Sequence, residues 1–118
     1  MEVRSEKPED IGAVRVVNMA AFGREDEAKL VDRLRYSTPT LSLVAVLDNQ
    51  IVGHVFFSPV TIDNSSLFML GLAPVAVLPN YQRQGIGTLL IQQGLKECEH
   101  VHVRQRHRLD CKAVVVLG

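Results

Sequence analysis

The chain has 118 residues, 47% of them apolar and 22% charged, with 13 basic against 13 acidic side chains, two cysteines, eight glycines and no tryptophan. This aliphatic content at zero net charge excludes a disordered chain, two cysteines and eight glycines exclude a disulfide-stapled or collagen-like one, and a balanced charge offers nothing to recruit a polyanion. No apolar run reaches the roughly 20 residues of a membrane-spanning helix and Met1-Glu2-Val3-Arg4-Ser5-Glu6 has no secretory core, so the expectation is one cytoplasmic domain over residues 1–118, without nucleic-acid or membrane partners.

Met1 to Arg4 alternates weakly, as a short strand would. Pro8-Glu9-Asp10 suits a helix start, because proline tolerates the first helical position and carboxylates complement the positive end of the dipole. Ile11, Val14, Val17 and Ala21 at helical spacing predict a helix from Pro8 to Phe22. After Gly23, Leu30, Val31 and Leu34 define a second one, closed by Thr38-Pro39. The period then changes. Leu43–Leu47 and Ile51–Phe57 flank the turn residues Asp48-Asn49-Gln50 as a hairpin, and Asp63-Asn64-Ser65-Ser66 marks another turn before a long apolar strand, Leu67 to Leu78. Gly71 and Pro74 inside that strand predict a bulge or a local loss of pairing. A third helix is predicted from Gly85 to Glu99, with Ile86, Leu89, Leu90 and Leu95 inward, and Ala113–Leu117 reads as a buried strand. A helix joining two apolar strands is a crossover unit, so the expected fold is α/β (α+β), an antiparallel meander of four strands followed by a parallel crossover to the fifth.

The chemistry is concentrated where the long strand passes into the third helix: Val75-Ala76-Val77-Leu78-Pro79-Asn80-Tyr81-Gln82-Arg83-Gln84-Gly85-Ile86-Gly87-Thr88. Amides at a helix start have no internal partner and sit at the positive end of the dipole, so a loop that turns them outward binds anions. Gly85 and Gly87 remove side chains that would hold a phosphate away, while Arg83 adds a charge and Thr88 a hydroxyl, a set suited to a diphosphate. The competing reading is that both glycines only let the helix pack closely on the sheet. A dinucleotide fingerprint needs a small residue where Leu90 stands, and a nucleoside-triphosphate loop needs a lysine before its hydroxyl residue, which Gly87-Thr88 lacks.

At these residues the sequence resembles the GNAT superfamily of acyl-CoA-dependent N-acetyltransferases, whose Gln/Arg-x-x-Gly-x-Gly/Ala signature stands here as Gln82-Arg83-Gln84-Gly85-Ile86-Gly87 behind Val77-Leu78-Pro79. The resemblance follows the order of elements through nearly the whole chain and implies helices on both faces of the sheet. It implies that the amides of Gln82, Arg83, Gln84, Gly85, Ile86, Gly87 and Thr88 hold the pyrophosphate of coenzyme A. It implies further that the backbone of Val75, Ala76 and Val77 pairs with the pantetheine arm and supplies an oxyanion donor. The reaction so implied is direct attack of a substrate amine on the thioester of acetyl-CoA, with no metal.

The family usually continues after the fifth strand into a fourth helix and two more strands that often carry a tyrosine acid. A chain stopping at Leu117-Gly118 would therefore expose the edge of Val114–Leu117, so the expectation is either a truncated domain lacking that last part of the fold or a second chain completing the sheet, which predicts self-association through the terminal strand as a homo-oligomer. No catalytic acid or base is assigned. His54 is a candidate base set against a structural histidine sharing a face with Val52 and Phe56. Glu25, Asp26 and Glu27 are candidates for amine contact set against a solvated helix start. The segment from Cys98 to Cys111 reads as a long Arg/His-rich loop over 99–110. Its two cysteines and three histidines have no zinc-site spacing and Arg104, Arg106 and Arg108 would repel a cation. These arginines could meet an anion or simply be solvated. Beside an acetyltransferase acting on a small-molecule or peptide amine stand two alternatives: a non-catalytic acyl-CoA-binding fragment or pseudoenzyme, and an interaction module built on that loop.

Overall fold

Asp48 and Asn49 both take left-handed backbone angles, φ 51° and 64°, the geometry of a two-residue turn whose twist matches that of the strands it joins. Asn and Asp tolerate that region, so the turn chemistry in the sequence sets the hairpin between β2 (Leu41–Leu47) and β3 (Gln50–Ile62). Around this hairpin the computed structural model, which describes residues 1–35, 40–62, 66–105 and 109–113, builds one five-stranded sheet. Its strands lie in chain order: β1 (Glu2–Ser5), β2, β3, β4 (Ser66–Val77) and β5 (Leu109–Ala113). The first four are antiparallel neighbours and β5 runs parallel to β4, as the alternation of periods predicts.

The expected first helix is a 3-10 turn at Pro8–Asp10 continued by α1 (Ile11–Phe22). Gly23, at φ 68°, ends α1 in a left-handed cap whose N–H donates to the Met19 carbonyl at 2.8 Å. α2 (Asp26–Leu34) follows. Asp10 is buried and accepts from Nη1 and Nη2 of Arg4 and from the Lys7 amide, which ties β1 to the entry of α1 and holds its carboxyl below the ordinary range. Thr38-Pro39 and the turn at Asp63-Asn64-Ser65 lie outside the described residues.

α3 runs from Ile86 to Gln105 and β5 already begins at Leu109, so most of the segment expected as a long loop over 99–110 is helix and strand. From Leu95 to Arg108 the chain has no Gly, Pro or Asn to stop a helix, and Leu109 to Ala113 alternates apolar and polar residues as a strand does. Of the expected terminal strand Ala113–Leu117 only Ala113 is described, as the last residue of β5; Val114–Leu117 and their expected self-pairing lie outside the described residues.

Helices cover both faces. A Cβ at Gly53 would meet Ile86 and Leu90 of α3, whereas its neighbour His54 meets Asn18 of α1. On the α3 side Leu43, Ala45, Val55, Phe57, Val75 and Val77 pack with Ile86 and Leu90. Each fully buried Val, Leu, Ile or Phe side chain of this kind contributes about 1.5–3 kcal/mol. Val52 joins this core and not the face of His54 and Phe56, because the register slips by one residue between Ala45↔Gly53 and Val46↔Ile51. Gly94 sits directly under the Phe57 ring, and an added Cβ would overlap it. Gly94→Ala is therefore expected to destabilise the chain by about 1–3 kcal/mol despite alanine's better helix propensity, read as a lower midpoint in denaturant unfolding.

Candidate functional site

The end of β4 is built differently from its start. From Ile62↔Ser66 to Phe56↔Leu72 it pairs in step with β3, and it pairs again at His54↔Ala76 and Gly53↔Val77. Between those stretches Ala73, Pro74 and Val75 face Val55 alone, a bulge of two extra residues. Pro74 has no N–H to give to a ladder, which accounts for the break here and not at the other expected place. Gly71 stays paired, to Phe57 on one side and Ala113 on the other. Among the described residues β5 follows β4 only from Leu67 to Gly71, so Val75–Val77 lies beyond the parallel pairing.

From the end of β4 the chain turns sharply into α3. The Leu78 N–H donates to the Val52 carbonyl at 2.9 Å, a 3-10 turn follows at Pro79–Tyr81, and the Gln82 side chain reaches back to donate to the Val77 carbonyl at 3.0 Å. Gln82 thus fixes the turn through its side chain. Arg83 and Gly85 take φ 66° and 83°, and the first helical bond runs from the Leu89 N–H to the Gly85 carbonyl at 3.0 Å. Gly85 is therefore the N-cap, and the amides of Ile86, Gly87 and Thr88 precede the ladder at the positive end of a 20-residue helix. No side chain among the described residues accepts from them.

The two glycines divide the roles expected of them. At Gly85 nothing lies within 4 Å of an added Cβ, and its positive φ is what requires glycine. At Gly87 a Cβ would stand 2.9 Å from Val75 Cγ1, so this residue brings α3 close against β4. One glycine shapes the turn and the other packs the helix.

Helix start and strand end open onto one cleft of about 480 Å³, lined by Val75, Val77, Tyr81, Gln82, Arg83, Gly85, Ile86, Gly87, Thr88 and Ile91. Of the ten residues singled out in the sequence, eight are in this wall. Ala76 is wholly buried and points to the α1 side, and Gln84 is exposed but outside the lining. Tyr81 and Ile91 were missed. Ile91 lies four residues after Gly87 and three after Thr88, hence on their helical face, a signal present in the sequence.

His54 lies on the opposite face and is wholly buried. Its Nδ1 is 3.2 Å from Asn18 Nδ2 and its Nε2 2.8 Å from Ser42 Oγ. Burial, with a smaller push from the Arg35 charge, drives its pKa down to about 3, so the ring is neutral and the structural reading applies. Asn18 Nδ2 also donates to the Val14 carbonyl at 2.9 Å, while Asn18 Oδ1 is buried with no partner among the described residues, an arrangement that costs about 1–3 kcal/mol. At the start of α2, Glu27 pairs with Arg24 at 2.6 Å and Glu25 with Lys29 at 3.2 Å, the arrangement of a helix start. The side chains from Cys98 to Cys111 lie outside the described residues.

The acetyltransferase (GNAT) family model matches residues 11–114. The chain is 38% identical over 114 residues to the uncharacterized N-acetyltransferase YjhQ of Escherichia coli (strain K12), which covers 92% of this chain and 59% of YjhQ. To the uncharacterized N-acetyltransferase YhbS of the same strain it is 39% identical over 97 residues, 80% of this chain and 58% of YhbS. The chain thus spans less than two thirds of the length of the curated relatives it matches. Among solved structures, a GNAT family acetyltransferase from Brucella melitensis in complex with acetyl-CoA superposes with a TM-score of 0.80 at 36% identity, over 99% of this chain and 77% of that one. Escherichia coli YhbS in complex with CoA superposes with a TM-score of 0.70 at 35% identity, over 81% of this chain and 54% of that one.

Proposed function

The chain belongs to the acetyltransferase (GNAT) family, and from that premise we propose that it transfers the acetyl group of acetyl-CoA to a primary amine of a small molecule or peptide in the cytoplasm. One observation carries the reading: the strand-to-helix turn offers three amides with no partner among the described residues, a positive-φ glycine with open space above it and an exposed arginine to a single cleft. That set suits a doubly charged linker better than a carboxylate. The amides of Ile86, Gly87 and Thr88 would hold the pyrophosphate, with Gly85 allowing its approach and Arg83 adding charge. The flank of Val75, Ala76 and Val77 that lies beyond the β5 pairing among the described residues would take the pantetheine arm. The two relatives with acetyl-CoA and CoA bound support the same assignment.

Bound acetyl-CoA brings a thioester carbonyl, and the protein's part is to orient it and to shield it from water. A backbone N–H of Val75–Val77 would be the donor that stabilises the oxygen as negative charge grows on it. The cleft walls near the strand are apolar, through Val75, Val77, Ile86 and Ile91, which strengthens any such donor by excluding solvent.

Calorimetric titration with acetyl-CoA, followed by a thiol-release assay over a panel of amines, tests the proposal. Saturable 1:1 binding with amine-dependent thiol release is expected. Binding without release from any amine would leave an acyl-CoA-binding fragment, and no binding would remove the reading altogether.

A further inference from the structure

The buried polar group on the far face has no part in the reading above, yet it ends on the rung of the sheet that sets the cleft. His54↔Ala76 is the first β3–β4 pair beyond the bulge, and Val75 and Val77 on either side of Ala76 line the cleft. Through its backbone and its two ring nitrogens, His54 therefore joins β4, α1 and β2.

The direction of these hydrogen bonds follows from one neighbour. Because the Val14 carbonyl takes one N–H of Asn18 Nδ2, it is the amide's nitrogen and not its oxygen that faces His54. Nδ1 must then accept, so the ring proton sits on Nε2 and is donated to Ser42 Oγ. The order Ser–His–Asn resembles a nucleophile triad, but a bare Nε2 is what would take a proton from serine, and here that atom is the donor. Catalysis through Ser42 is thereby excluded. What remains is orientation: a ring bonded at both nitrogens cannot turn without losing both bonds. Asn18 Oδ1, without a partner among the described residues, points the same way, since an apolar side chain would fill that space at lower cost but would fix no direction.

We propose that Asn18, His54 and Ser42 are positioning residues that lock α1 and β2 to the His54–Ala76 rung and so hold the Val75–Val77 backbone at its angle to the cleft. The proposal rests on that backbone being the arm-binding strand. Its reporter does not: the Leu78 amide, bonded to the Val52 carbonyl just past the rung, exchanges with solvent only when this end of β4 opens.

Hydrogen exchange on the 118-residue chain, with and without coenzyme A, is the test. In Asn18→Leu and Ser42→Ala the Leu78 amide is expected to exchange at least about tenfold faster while the Leu89 amide of α3 keeps its parental rate. Coenzyme A affinity falls severalfold, and Ser42→Thr, which keeps the hydroxyl, restores both. Nitrogen-15 spectra of the imidazole should place the proton on Nε2. An unchanged Leu78 rate, an equal rise at Leu78 and Leu89, or a proton on Nδ1 would overturn the proposal. Should the parent chain fail to bind coenzyme A while Leu78 alone responds, the positioning role stands and the cofactor reading falls.

Discussion

Thr88→Glu is expected to lower coenzyme A affinity at least about 100-fold while leaving the melting temperature at or above that of the parent chain. Thr88 is exposed, lines the cleft and is the third residue of α3 after the Gly85 cap. A glutamate at this third position is favourable to a helix, because its carboxylate meets the positive end of the dipole and unpartnered amides. The same carboxylate would occupy the place meant for the pyrophosphate. Two unit charges 4 Å apart cost about 4 kcal/mol at an effective dielectric of 20, well beyond the roughly 2.8 kcal/mol that a 100-fold loss requires. Opposite signs for stability and binding separate this variant from bulky replacements of the glycines. Any such residue at Gly87 would collide with Val75, and one at Gly85 would be strained by its φ of 83°. Calorimetry and thermal unfolding of the same preparation check both halves.

The second large effect is on acid stability. His54 has its pKa lowered from 6.5 to about 3 in the fold, so between those values the unfolded chain binds a proton that the native chain does not. Stability is therefore fully present above about pH 6.5 and is lost as pH falls towards 3. Over the interval from 6.5 to 4.5 the expected loss is about 2 kcal/mol. Asp10, Glu27 and Asp32 are held low by arginine partners and add their own losses as pH drops through the ordinary carboxylate range, so the part of the series above about pH 5 isolates the histidine. Denaturant unfolding of the parent chain and of His54→Gln at pH 7, 6, 5 and 4.5 reads the effect. The parent should lose stability across this series and the variant, less stable at neutral pH, should run nearly flat. Parallel curves would mean that the histidine is not the titrating group.

The order of elements was readable because turn chemistry marks the breaks between elements, as at Asp48-Asn49 and Gly23. The cleft was readable because a strand, a glycine-containing turn and a helix start are contiguous in the chain, so no long-range contact had to be guessed. Features that depend on partners were not. Pro74 and Gly71 are equal as break signals, and only pairing with β3 and β5 shows that Gly71 is held on both sides. The one-residue slip at Val52 reverses its face without any local mark. Ala76 falls out of the cleft because alternate strand residues face opposite sides, a consequence visible in principle from its place between Val75 and Val77. Asn18, four residues after Val14, is a polar residue on an apolar helical stripe, and that mismatch was the available signal for the His54 group.

The account stands on the amides at the start of α3 being an anion site. Nitrogen-15 amide spectra recorded during titration with coenzyme A test this most directly. The largest shifts are expected at Gly85, Ile86, Gly87 and Thr88, with smaller ones at Val75 and Val77. Shifts concentrated on the α1 face, with those four amides unmoved at saturation, would contradict it.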